Sequence, residues 1–265
     1  MRSERIPLAR RSRRRSQSSR ASALRSDGSA MVTVTKEDLE TPRTAKEYLG
    51  WVELKMQQVA ASNKGRKSLR LRQGLSKVLV EEALPLAIFA TKHYQESRCV
   101  TILHRVGDQN YDAEVKDRRI RKSPFEYVEI TQAHEGENDH LRMLALERDG
   151  RVSVLGKVTK SGTKATGITG HVENEAKRHR EVHAEELMRV KDAIQKKLEK
   201  AYPNSTALVV AFDDYMAIRS DSDMDSLRDY LSGETLAKIN NFRWLALVGW
   251  GKRNYLEFDL GRNAI

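Results

Sequence analysis

Apolar residues at helical spacing dominate residues 172–201, where Leu187, Val190, Ile194, Leu198 and Ala201 share one side and Glu and Lys cover the other. This is the clearest helix in the chain, and Tyr202-Pro203-Asn204 ends it. The run TALVVAF (206–212) follows with no alternation, the pattern of a strand buried on both faces. Upstream, Thr44-Ala45-Lys46-Glu47 forms a capping box that opens a helix to about Ala61, with Tyr48, Val52, Met56 and Val59 on one side. The basic stretch 62–68, SNKGRKS, reads as a flexible link. A long helix is expected over 68–94, most apolar through 83–91 and kinked or split by Pro85.

Extended segments are predicted at 100–105, 111–115 and 125–131, followed by a short helix at 138–148 that ends at Asp149-Gly150. Residues 151–157 and 164–168 are candidates for a hairpin. Short helices near 222–231 and 233–240 precede a last strand at 243–250, with a further strand at 255–260. No internal repeat is visible. The order of helix, three strands, helix, hairpin, helix and strand implies an α/β fold, a mixed sheet covered by helices. The expected organisation is an Arg/Ser-rich disordered tail (1–30), a helical arm and basic linker (31–67), and an α/β domain (68–265).

Charge changes this picture mainly at the start of the chain. Residues 1–30 hold nine Arg against Glu4 and Asp27, so +7 of the total +11 lies there and +4 remains for the body. Such a segment buries too little apolar area to offset the entropy of ordering. Three origins stay open for it: a basic arm that touches phosphates, a transit-like leader, or residues upstream of a true start at Met31. No apolar run approaches the roughly 18–20 residues needed to span a bilayer, and no apolar core follows the Arg-rich start as in a secretory leader. A cytoplasmic protein with no membrane partner is expected. The single Cys99 excludes a disulfide framework within the chain and every CxxC metal site. At the head of CVTIL it reads as a small buried hydrophobe.

Candidate chemistry concentrates in 109–132, QNYDAEVKDRRIRKSPFEYVEITQ. Asp112 ends one extended segment and Glu129 lies near the end of the next. Alternation sets Phe125, Tyr127, Glu129 and Thr131 on one face, and Glu126, Val128 and Ile130 on the other. Two carboxylates converging from neighbouring strands repel unless a proton or cation sits between them. A Mg²⁺-like ion, satisfied by one or two carboxylates and several waters, resolves that conflict. Other motifs point nowhere comparable. His179 and His183 share a helix face, but Arg180 and Val182 stand where HExxH and HxxEH need Glu. Gly156, Gly162, Gly167 and Gly170 fit neither GxxxxGK[ST] nor GxGxxG.

The order of elements together with Asp112 in NYDAEV and Glu129 in EYVEIT resembles the PD-(D/E)xK nuclease-like superfamily, over roughly residues 68–215. The resemblance implies a restriction-endonuclease-like αβββαβ core. It assigns Asp112 and Glu129 to a Mg²⁺ site (Mn²⁺ is the other candidate ion), with Glu82 of the first long helix as a third ligand. The family's lysine position holds Thr131, followed by Gln132, so Thr131 and Gln132 enter the candidate catalytic set. Another cation, with Lys157 one candidate, is then needed at the site; otherwise the metal alone activates water or the site is inactive. The implied activity is hydrolysis of phosphodiester bonds in nucleic acid, DNA in particular. Two basic clusters offer an approach surface: Lys64, Arg66, Lys67 and Arg70 (with Arg72), and Arg118, Arg119, Arg121 and Lys122 (with Lys116). The alternatives are a catalytically inactive nucleic-acid-binding module of the same fold, and an interaction or adaptor protein in which positions 112 and 129 are incidental.

Overall fold

The computed structural model describes residues 32–163 and 167–263. The tail 1–30 and residues 164–166 of the expected hairpin lie outside these. Helix α1 (Lys36–Glu40) starts at a Thr35–Asp38 capping box. A two-residue strand, β1 (Arg43–Thr44), leads into α2 (Ala45–Ala60), which begins at the Thr44–Glu47 capping box. Residues 62–68 are not a flexible link, because they fall in a helix, α3 (Asn63–Arg70). Ser62 caps it by accepting from the Gly65 N–H at 3.0 Å. Gly65 packs so tightly that a Cβ there would lie 1.8 Å from the Val59 carbonyl oxygen, so only glycine fits.

The expected long helix divides earlier than Pro85. Arg72 and Gly74 adopt positive φ and separate α3 from α4 (Leu75–Val78). A single π-helical turn, Leu79–Ala83, then joins α4 to α5 (Leu84–Tyr94), with Pro85 in the first turn of α5. Pro85 has no N–H to give to the Glu81 carbonyl four residues back. That carbonyl instead accepts from Gln132 Nε2 at 2.8 Å.

Strands β2 (Val100–His104), β3 (Ala113–Asp117) and β4 (Tyr127–Gln132) form an antiparallel meander. Helix α6 (Glu137–Asp149) ends on Gly150 at φ +71°. A separate hairpin follows, β5 (Val158–Ser161) with β6 (Thr169–Val172), several residues later than the pattern suggested. Helix α7 (His179–Leu198) leads to β7 (Thr206–Phe212), which pairs parallel with β4. The chain continues through α8 (Asp221–Leu231) and α9 (Glu234–Ala237) to β8 (Trp244–Gly249) and β9 (Tyr255–Asp259). The main sheet is mixed and seven-stranded, in the order β1-β2-β3-β4-β7-β8-β9.

All seven residues of β7 are buried, as its unbroken apolar run requires. Ala207, Val209 and Ala211 face a core shared with α2 and α5, while Leu208, Val210 and Phe212 face α7 and α8. Helices therefore flank both faces. Of residues 31–67, expected to form an arm and a linker, the described ones (32–67) lie in the same compact unit as the rest: β1 pairs with β2, and Tyr48 and Val52 of α2 are fully buried. Phe125 precedes β4 and is buried on the α2/α5 side with Val128, so it does not share the Glu129 face. Cys99 is exposed rather than buried, because it sits one residue before β2 begins. Among the described residues no helix is long and apolar enough to cross a membrane.

Candidate active site at the start of β3

The end of the β3–β4 ladder brings two carboxylates together. Its last pairs are Glu114 with Tyr127 and Ala113 with Val128, and Asp112 and Glu129 are the next residues beyond them. Ala113 and Val128 point into the α2/α5 core; Glu129, one residue out of phase on β4, faces the other way, and the Asp112 carboxyl lies within its electrostatic reach. Two hydrogen bonds hold this corner. The Asp112 N–H donates to Val128 O at 2.8 Å, and the Ile130 N–H donates to Asp112 Oδ2 at 2.7 Å. Because β4 runs on to Gln132 while β3 stops at Ala113, the end of β4 lacks an antiparallel neighbour. A cleft of about 570 Å³ opens there, lined by Glu82, Thr131, Gln132, Lys77, Lys196 and Arg189 among others.

The electrostatics of the corner are lopsided. Burial, then Glu129, then Glu82 push the Asp112 carboxyl well above the usual carboxylate range, and the Ile130 N–H and Lys197 only partly oppose them. Glu129 is 7% exposed. Its Oε1 accepts from Lys197 Nζ of α7 and from the Tyr202 hydroxyl at 3.4 Å. Glu82 enters from the π turn, with Oε2 3.2 Å from Nε2 of the fully buried His104 of β2. That contact is within ion-pair range but is not aligned as a hydrogen bond. Burial, followed by Glu129, raises the Tyr202 hydroxyl pKa, so Tyr202 stays a proton donor.

The cation on Glu129 is thus Lys197, not Lys157, which lies exposed just before β5. The sequence carried a signal for it. Val190, Ala193 and Ile194 are buried on α7, and position 197 continues their i, i+3, i+4, i+7 face toward the sheet. Thr131, two residues after Glu129, is half-buried in the cleft. Gln132 is engaged in tying β4 to the π turn.

The two basic clusters fare differently. Arg70 pairs with Glu147 of α6 at 2.7 Å, Lys67 approaches the same carboxylate at 3.7 Å, and Arg66 Nη1 donates to Ala60 O at 2.8 Å. Arg70 also lines a cavity that adjoins the cleft. The second cluster lies in the β3–β4 connection, beyond Asp117. At about 3.3 Å per residue it sits roughly 17 Å from Asp112, at the opposite end of the strand. Arg119 there is bound to Asp117 and lies over the Tyr94 ring. The fold does not bring Arg118, Arg119, Arg121 and Lys122 to the carboxylates. His183 is half-buried, its Nδ1 3.1 Å from Ala217 O, and His179 faces Asp223; both link α7 to the α8 region and do not simply face solvent.

A charged network behind the cleft was not legible in the sequence. Glu186, 1% exposed, accepts from the Asp213 N–H and from Arg189. Arg189 also donates to Glu135, which in turn pairs with the buried Arg142. Burial raises the Glu186 carboxyl to about 7 against the pull of Arg189.

Among the described residues no three His, Cys, Asp or Glu side chains close around one point as a ready metal cluster. The donor set nevertheless suits a hard ion that keeps most of its waters. Asp112 Oδ2 and Glu129 Oε1 are engaged, which leaves one further oxygen on each carboxylate. Comparison with known proteins adds no relative: no family model matches the chain, and neither a curated protein nor a solved structure matches it.

Proposed function

We propose that this protein is a metal-dependent nuclease of the PD-(D/E)xK type, hydrolysing phosphodiester bonds in DNA. One observation carries the reading: the carboxyls of Asp112 and Glu129 come together where the β3–β4 ladder ends, and a lysine from the next core helix holds Glu129. The succession α5, β2, β3, β4, α7, β7, with β4 and β7 parallel, is compatible with an αβββαβ core; α6 and the β5–β6 hairpin would be an insertion. Lys197 supplies from α7 the positive charge that Thr131 cannot.

Asp112 and Glu129 would hold Mg²⁺ or Mn²⁺, with Glu82 near enough to Asp112 to act on the same ion. When bound, that ion supplies Lewis-acid chemistry to the phosphate. The chain's own groups do the rest. Lys197 orients Glu129 and adds positive charge where the phosphorane develops negative charge. Tyr202 fixes the same carboxylate with its hydroxyl. Asp112 faces Glu129 and Glu82, so a bound cation would relieve the repulsion among them.

The test mixes purified protein with plasmid and single-stranded DNA in Mg²⁺ or Mn²⁺, alongside calorimetric ion titration. Wild type takes up the ion and cleaves; Asp112→Asn and Glu129→Gln do neither. Lys197→Met binds the ion but cleaves about 10²–10³-fold more slowly, the range for loss of one transition-state donor. No ion uptake by wild type, or unchanged affinity in both amide variants, would falsify the proposal.

A further inference from the structure

At the end of β3 away from Asp112, a serine, a histidine and a carboxylate lie in a hydrogen-bonded series. His93 of α5 has Nε2 3.2 Å from Oγ of Ser123, in the β3–β4 connection, and Nδ1 2.8 Å from Oε2 of Glu257 on β9. The partners stand 30 and 164 residues from His93 along the chain, so no sequence spacing shows them. A carboxylate can only accept, so Nδ1 carries the ring proton. Nε2 of the neutral ring is then the acceptor and the Ser123 hydroxyl the donor. Burial works against ionisation of Glu257, but hydrogen bonds from His93 and Tyr255 hold its carboxyl below the usual range. The Tyr255 hydroxyl donates to the same Oε2 at 2.5 Å. Packing fixes the imidazole as well: it stacks on Phe89 with ring centres 5.2 Å apart and meets Trp244 edge-on at 5.3 Å. Only 11% of the His93 side chain is exposed, whereas Ser123 is half-buried between the exposed Lys122 and Pro124.

Nucleophile to base, and base to an orienting carboxylate, is the arrangement that activates a serine hydroxyl, whatever the fold or chain order. Two further groups touch the Ser123 oxygen. Arg119 Nη2 donates to it at 3.2 Å, and Asp117 Oδ2, itself bound by Arg119, lies at 3.3 Å. The guanidinium thus offsets the Asp117 charge and sets a cationic donor beside the attacking oxygen. We propose that Ser123, His93 and Glu257 form a second active site, which hydrolyses carboxylic esters through an acyl-serine intermediate. Ser123 Oγ bonds to the ester carbonyl carbon as its proton passes to His93 Nε2, and Glu257 stabilises the imidazolium. Collapse breaks the bond to the alcohol oxygen, and the alcohol leaves with that proton. Water then attacks the acyl-serine and gives a proton to His93; the carboxylic acid departs, and Ser123 Oγ takes the proton back. The exposed cations Arg121 and Lys122, directly before Ser123, favour esters that carry a negative charge. The site uses neither Asp112 nor a metal ion, and it stands apart from the nuclease reading.

Two probes test it in EDTA: turnover of p-nitrophenyl acetate and of the anionic p-nitrophenyl hemisuccinate, and covalent labelling by diisopropyl fluorophosphate. Wild type releases p-nitrophenolate above the buffer rate, faster from the anionic ester, and takes up one label, mapped to Ser123 by peptide mass. Asp112→Asn behaves as wild type. Ser123→Ala loses the label and at least about 10²-fold in turnover, and His93→Gln slows both probes by a similar factor. Glu257→Gln, whose amide can donate to Nδ1 and so favours the other tautomer, slows both at least about tenfold. Rates are taken per folded molecule, below each variant's melting temperature; should His93→Gln not fold, Glu257→Gln decides. A merely structural network would shift melting in these variants and leave label and turnover per folded molecule unchanged. Absence of turnover and label in wild type overturns the site, as does undiminished turnover in folded Ser123→Ala or undiminished labelling in folded Glu257→Gln. Equal rates on the two esters overturn the preference for charge alone.

Discussion

Asp112 and Asp117 lie at the two ends of β3, and their carboxyl groups are driven in opposite directions. At Asp117 burial opposes ionisation, but the Arg119 side chain and the N–H groups of Arg119 and Ser123 hold the carboxyl well below the usual range. At Asp112 burial is joined by two further carboxylates, one N–H and the more distant charge of Lys197 oppose them, and the group is raised. The same residue type on the same strand is closed at one end and open at the other. A carboxylate whose lone pairs are filled by its own chain fixes a loop. One left facing other carboxylates keeps a standing demand for a proton or cation.

Replacing each aspartate by asparagine sharpens the contrast most. Asp112→Asn is expected to lower DNA cleavage by at least about 10²-fold while leaving the urea midpoint unchanged or higher, since it removes a repelled charge. Asp117→Asn should do the reverse: rates per folded molecule hold, and stability drops by about 2–3 kcal/mol as Arg119 loses its partner. Loss of stability in the first variant, or none in the second, would break the comparison.

Glu186 makes an intermediate case, buried like Asp112 yet partnered like Asp117. With its carboxyl raised to about 7, the folded state binds a proton that the unfolded chain releases near 4.5. Its contribution is therefore full below about pH 4.5 and is lost as pH rises through 7, on the order of 3 kcal/mol. Urea midpoints between pH 5 and pH 7 should fall in wild type and stay flatter in Glu186→Gln. The Asp117 contribution runs the other way, present above the ordinary aspartate value and lost as pH falls through its lowered one. The smallest effect is expected at the loop beyond Asp117. Combined Arg118→Ala, Arg121→Ala and Lys122→Ala should weaken DNA binding only a few-fold and reduce its salt dependence. A large fall in cleavage rate in that variant would show that this end of the strand reaches the reacting bond.

Much of the fold is legible along the chain because it is written in local periods. The seven-residue run of β7 and the apolar face of α7 are both found where hydrophobic spacing puts them. Boundaries were weaker wherever a single contact decided them. Gly65 turns a basic link into helix by packing on Val59, and the positive φ at Arg72 and Gly74 divides the helix ahead of Pro85.

Period 3.6 or period 2 tells which face a side chain occupies, and so the sequence by itself determined the layers and the buried central strand. It carries no distance between elements far apart in the chain. Only the tertiary structure decided that Lys197 meets Glu129 across 68 residues and that the Arg118–Lys122 loop closes the far end of β3. Those outcomes depend on how helices dock across the sheet, where a shift of one turn exchanges one charged neighbour for another.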